Sequence, residues 1–173
     1  LVLIQEFKQI SQNYIIQIYY RLGRFEDVVA KGPSYLDSVS GNTLLEMTHL
    51  IGDAYFELGK YDEAVPYLRN FNTQSKTKRE DDYQLAYALY KSANYENAIE
   101  LFDKVAKVKD TLGQISLYHI AESYMKLGNN AYARTAFEAA AVIAIDPRIQ
   151  EDALYNYAIL SYKLDINPYD EAI

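Results

Sequence analysis

The 173-residue chain has no cysteine, only two histidines, no excess of positive charge and no hydrophobic run that approaches a membrane span. The missing cysteine rules out disulfides, thiolate metal sites and a cysteine nucleophile. It leaves the compartment open, because a cysteine-free chain suits either redox environment. The apolar stretch Ala139-Ala140-Ala141-Val142-Ile143-Ala144-Ile145 falls far short of the roughly 20 residues that a helix needs to cross a bilayer. No membrane insertion is expected. The net charge is −7, and nucleic acid is not an expected partner, since phosphate binding requires a concentrated positive surface. The one basic cluster, Lys76, Lys78 and Arg79, is followed at once by Glu80, Asp81 and Asp82, as in a charged turn ahead of a helix. The chain begins at Leu1 without an initiator methionine, a basic n-region or a signal cleavage site, so any targeting segment is expected to lie outside it.

Catalytic signatures are equally scarce. There is no Gly-x-Ser-x-Gly elbow, no phosphate-binding glycine-rich loop and no His-Glu-x-x-His. His119 and Glu122 lie three apart on one helical face, but two ligands without a third do not make a metal site. No enzymatic activity, metal or cofactor is expected.

What the chain does have is one pattern four times over: Leu22-Gly23-Arg24-Phe25-Glu26-Asp27-Val28, Leu58-Gly59-Lys60-Tyr61-Asp62-Glu63-Ala64, Ser92-Ala93-Asn94-Tyr95-Glu96-Asn97-Ala98 and Leu127-Gly128-Asn129-Asn130-Ala131-Tyr132-Ala133. Val28, Ala64, Ala98 and Ala133 stand about 35 residues apart, the period of stacked helical hairpins that bury their apolar faces against each other. A shortened fifth copy reads Tyr169-Asp170-Glu171-Ala172-Ile173.

Each copy divides into two antiparallel helices, A and B. The helical spacing of Leu50, Ile51, Ala54, Tyr55 and Leu58 predicts helix A of the second copy over 45–58, ended by Gly59, with helix B over 61–70. The third and fourth copies predict helices over 79–92 and 95–108, then 113–127 and 131–144. Thr77-Lys78-Arg79-Glu80 fits a capping box, and Asp146-Pro147 and Asn167-Pro168 each offer an N-cap followed by proline. Helix A of the fifth copy is expected over 147–164. Gly32-Pro33 falls inside the first B helix and predicts a break there. A loop is expected over 38–43.

On these residues the chain resembles the tetratricopeptide repeat, whose 34-residue unit favours small side chains where its helices cross. The eighth position reads Ile16, Gly52, Ala86, Ala121 and Ala158, and the twentieth Val28, Ala64, Ala98, Ala133 and Ala172. Leu68, Phe102 and Phe137 supply bulk at the twenty-fourth. The family's frequent tryptophan at position four is replaced by Gln12, Thr48, Asp82, Leu117 and Leu154. The resemblance implies an all-α, right-handed superhelical solenoid of antiparallel helix pairs forming a single array over 1–173. Its repeats fall at about 9–44, 45–78, 79–113, 114–147 and a partial 148–173, as part of a longer protein.

The family binds ligands along the concave face of its A helices. Carried onto this chain, that face comprises Asn13, Gln17 and Tyr20; His49, Asp53 and Phe56; Tyr83, Tyr87 and Tyr90; Tyr118, Glu122 and Met125; and Tyr155, Ile159 and Tyr162. The strip is rich in tyrosine, whose rigid ring and polar tip suit recognition. At the twelfth position the competing reading is that the rings only fill the seam between helices. The family's carboxylate clamp for chaperone tails is not matched, since Asn13 and Gln17 occupy its place in the first repeat, with Leu50 and Gln84 at the sixth position of the next two.

The expected function is a noncatalytic scaffold that binds a peptide segment of a protein partner in this groove. The alternative is a structural spacer or a self-associating segment of a longer repeat protein, with Tyr157 and Ile159 at the C-terminal end as the contact. The wording of the repeats resembles that of bacterial cell-envelope assembly proteins.

Overall fold

The computed structural model describes residues 2–166. The shortened fifth copy over 169–173 and the Asn167-Pro168 cap lie outside them. Among the described residues every regular element is helical. They are α1 (Val2–Arg21), α2 (Phe25–Lys31), a 3₁₀ segment (Gly32–Ser38), α3 (Gly41–Glu57), α4 (Tyr61–Gln74), α5 (Arg79–Lys91), α6 (Tyr95–Val105), α7 (Thr111–Lys126), α8 (Asn130–Ile143), α9 (Pro147–Ser161) and a π-helical turn (Tyr162–Ile166). The chain forms two compact units, one up to Asp81 and one from Asp82 onward. Within each unit, helices consecutive in the chain pack against each other, α1 to α4 in the first and α6 to α9 in the second.

The repeated motif makes the same turn each time. Gly23, Gly59 and Gly128 have φ of +68°, +69° and +74°, and Ala93 takes the equivalent place at +57°. In all four turns this residue donates its amide three residues back, and the next residue donates five back: Gly59 to Phe56 and Lys60 to Tyr55, Ala93 to Tyr90 and Asn94 to Leu89. These bonds satisfy the last carbonyls of each A helix and reverse the chain into its B helix.

The small residues at the crossing positions are where close approach requires them. Val28, Ala64, Ala98 and Ala133 are all fully buried. At Gly52 a Cβ would come within 2.9 Å of the Leu68 side chain and 3.1 Å of its backbone nitrogen, so the approach of α3 to α4 at this point requires a residue without one.

In the first unit the core comprises Ile16, Val28, Met47, Ile51 and Ala54, contributed by α1, α2 and α3. The first B helix breaks where proline predicts: α2 ends at Lys31 and Gly32–Ser38 continues as a 3₁₀ segment. The expected loop is shorter than its polar composition suggests, because α3 begins at Gly41. Pro66 sits inside α4, facing solvent. Ahead of α5 the Asp81 carboxylate accepts from the amide of Lys78 at 2.8 Å.

One face of α1 is left apolar and exposed, with Phe7, Ile10, Tyr14, Ile15 and Ile18, and Leu22 in the turn after it is exposed as well. Ile15 and Ile18 hold the register of Ile51 and Ala54, which are buried where α3 meets α2. In the second unit, Leu85, Ala86, Ala88 and Leu89 of α5, Phe102 and Val105 of α6, Ile120 and Ala121 of α7, Phe137 and Ala140 of α8, and Ala153 and Leu160 of α9 form the interior. Asp146 caps α9 through the amide of Arg148, with Pro147 at the first helical position. Asp110 caps α7 through the amide of Gly113 at 2.8 Å.

Candidate functional site: two aromatic helix faces

On the first unit, the expected face gathers around His49 on α3. Its ring stacks nearly parallel on Phe71 of α4, with centroids 3.9 Å apart. Its Nε2 lies 3.4 Å from Asp53 Oδ1 and 3.8 Å from Asp81 Oδ1. The Tyr20 hydroxyl donates to Asp53 Oδ2 at 3.4 Å. Burial, reinforced by the Asp53 and Glu57 carboxylates, pushes the Tyr20 phenol up to about 12. Gln17 donates to Asn13 at 3.3 Å. Gln17, Tyr20 and His49 line a cavity of about 310 Å3 together with Arg21, Glu46 and Leu50.

On the second unit, the rings converge on His119 of α7. Tyr83, Tyr87, Tyr90, Phe102 and Tyr118 have centroids 5.2 to 6.3 Å from its ring. His119 Nδ1 is 2.8 Å from Glu122 Oε2; a carboxylate only accepts, so this nitrogen carries the proton. The Tyr90 hydroxyl also donates to Glu122. Burial pushes the Tyr83 phenol up to about 12, with Tyr87 and Glu122 adding to it. Burial first, and then the Glu122 charge, also raises Tyr90 and Tyr118. These phenols stay neutral and hydrogen-bonding at physiological pH.

The face is therefore a floor of aromatic carbon with hydroxyl tips around one carboxylate already engaged by two donors. Nothing in it resembles a nucleophile activated by a base. It suits apolar or aromatic side chains and backbone amides. Farther along, Tyr155 of α9 is 67% exposed, and Met125 and Tyr162 are also open to solvent.

The twelfth-position rings share a local role. Tyr20 packs edge-on to Phe25, Phe56 to Tyr61 and Tyr90 to Tyr95, with centroids 5.4, 5.4 and 5.9 Å apart. Each pair spans its own A–B turn, which is the seam-filling geometry. Sequence reasoning missed His119 as the hub, along with Phe71, Phe102 and Asp81. The sixth repeat position, shared by His119 with Leu50 and Gln84, was the signal available.

Two sequence profiles described as tetratricopeptide repeat match residues 45–71 and 83–148. No curated protein sequence matches the chain. Among solved structures it is similar to PcrH in complex with the chaperone-binding region of PopD, at 18% identity and a TM-score of 0.61, covering 73% of this chain and 97% of that one. PcrH, from Pseudomonas aeruginosa, is also similar in its complex with the chaperone-binding region of PopB, at 20% identity, a TM-score of 0.56 and coverage of 68% and 97%. A MamA mutant is similar at 15% identity and a TM-score of 0.68, covering 95% of this chain and 90% of that one. At these identities the likeness concerns the fold. With its four identical turns, its small residues at the helix crossings and both matching profiles, the chain belongs to the tetratricopeptide repeat family.

Proposed function

We propose that the chain is a noncatalytic scaffold that binds a peptide segment of a partner protein on the tyrosine-rich A-helix face of its second unit. The observation that carries this reading is the ring cluster around His119. Tyr83, Tyr87 and Tyr118 are held by neighbours on α6, α7 and α8, so binding orders few side chains and loses little entropy. The PcrH complexes lend support, because there a protein of this fold holds a segment of another protein.

The test is peptide selection from a display library against the parent, followed by affinity measurement with two variants. Tyr83→Ala/Tyr118→Ala is expected to weaken a selected peptide by about 2 kcal/mol or more, as for other buried aromatic anchors. Lys104→Ala, an exposed change on α6, is expected to leave affinity unchanged. Equal affinity for parent and both variants, with helicity intact by circular dichroism, overturns the assignment to this face.

The second reading, a self-associating array segment, draws on the exposed stripe of α1. Sedimentation velocity decides it: a concentration-dependent dimer abolished by Ile10→Glu/Ile18→Glu supports self-association, and a monomer at every concentration removes it.

A further inference from the structure

The second unit holds a cavity that the tyrosine face does not include. It opens on the side of α7 marked by Leu117, a third of a turn away from Tyr118 and Glu122. The segment following α6 contributes Ala106, Lys107 and Lys109 to it, and α8 contributes Thr135, Glu138, Ala139, Val142 and Ile143. Its volume is about 500 Å3, within the range of small-molecule sites.

The origin of the space is legible in the repeat. Leu117 stands at the fourth position, where the family frequently has tryptophan, and the smaller side chain leaves unfilled the space between α8 and the segment following α6. A second cavity, of about 250 Å3, opens at Thr48, the fourth position of the second repeat. Only the one at Leu117 is both large and lined by lysine.

The chemistry of the lining is one-sided. Leu117, Ala106, Ala139, Val142 and Ile143 offer an apolar surface, and Val142 is 73% exposed at the rim. Lys107 and Lys109 are exposed, and neither is in an ion pair among the described residues. Glu138 is the single acid of the lining. In a chain of net charge −7, two lysines left unmatched beside an apolar cavity form a local reversal of sign.

We propose that this cavity binds an apolar body with one anionic head, of the class of a medium-chain carboxylate. The chain lies against Leu117, Val142 and Ile143, and the head is met by Lys107 and Lys109. The site is independent of the peptide-binding face.

The test is titration of the full chain, methyl-labelled for NMR, with decanoate, decanol and decylamine below their micelle concentrations. Saturable shifts are expected at Leu117, Val142 and Ile143, with decanoate binding about ten-fold more tightly than decanol, as charge-assisted contacts to two lysines imply. Lys107→Gln/Lys109→Gln is expected to remove that preference and leave decanol binding in place. Leu117→Trp, which fills the cavity, is expected to abolish both while thermal stability holds or rises. Absence of saturable shifts, equal binding of the three compounds, shifts that persist in Leu117→Trp, or shifts centred on Ile10 and Ile18 of α1 would each overturn the proposal. A leucine-rich peptide with a free C-terminus, used as a fourth ligand, overturns it in favour of a protein terminus if it alone shifts these methyls.

Discussion

At the scale of single residues, the left-handed turn of the third repeat stands apart, because Ala93 holds the φ of +57° that glycine supplies in the other three. An L side chain there costs about 1–2 kcal/mol, against about 0.4–1 kcal/mol for the extra freedom of glycine in the unfolded chain. Ala93→Gly is therefore expected to stabilise the protein by up to about 1 kcal/mol, read as a higher denaturant midpoint with an unchanged slope. The phenols give a second prediction. Tyr20 and Tyr83 ionise near 12 in the folded protein and near 10 when unfolded. Since the folded state holds these protons more tightly, their contribution is fully present below pH 10 and is lost as pH rises from about 10 to 12. Urea melts at pH 8, 10 and 11 check this; a midpoint that does not fall in that window contradicts it.

At the scale of helices, the alanines at the A–B crossings fix how closely each pair approaches. Ala98→Leu and Ala133→Leu are expected to cost about 1–3 kcal/mol each, because both sites are fully buried and have no room for three more carbons. A polar contact fixes another junction. Gln114, fully buried on α7, donates to the Asp146 carbonyl at 3.2 Å and accepts from the Asp146 amide at 2.8 Å, securing the chain where it enters α9. Gln114→Leu leaves both backbone groups without this partner and is expected to cost about 2 kcal/mol or more. Hydrogen exchange at the Asp146 amide locates the effect, and unchanged protection there would show that the contact is dispensable. Gly113 is equally constrained, since a Cβ would collide with the Val108 carbonyl oxygen.

At the scale of the whole chain, repeat arrays are held together by contacts between near neighbours in sequence rather than by one central core, so disturbances are expected to stay local. Ala64→Leu lies in the first unit and Ala133→Leu in the second, and their costs are expected to add within about 0.5 kcal/mol. A double variant that loses much more than the sum, in denaturant melts of the full chain, would reveal coupling between the units.

The sequence by itself determined the helices, their turns and the crossings. These depend on local chemistry: a glycine or alanine at each reversal, a small residue every 35 or so positions, a proline that breaks the first B helix. It also placed Tyr83, Tyr87, Tyr118 and Glu122 on one face through the repeat register. It did not show that the Asp81 carboxylate reaches the Lys78 amide, because neighbouring carboxylates have nearly the same reach and only the backbone path separates them. His119 as a hub and Gln114 as a clasp were likewise out of view, since each acts through residues on other helices. The cavity at Leu117 was decided by tertiary structure alone. A missing tryptophan is visible in the sequence, but whether α8 and the segment following α6 close over the gap or leave it open depends on how they pack.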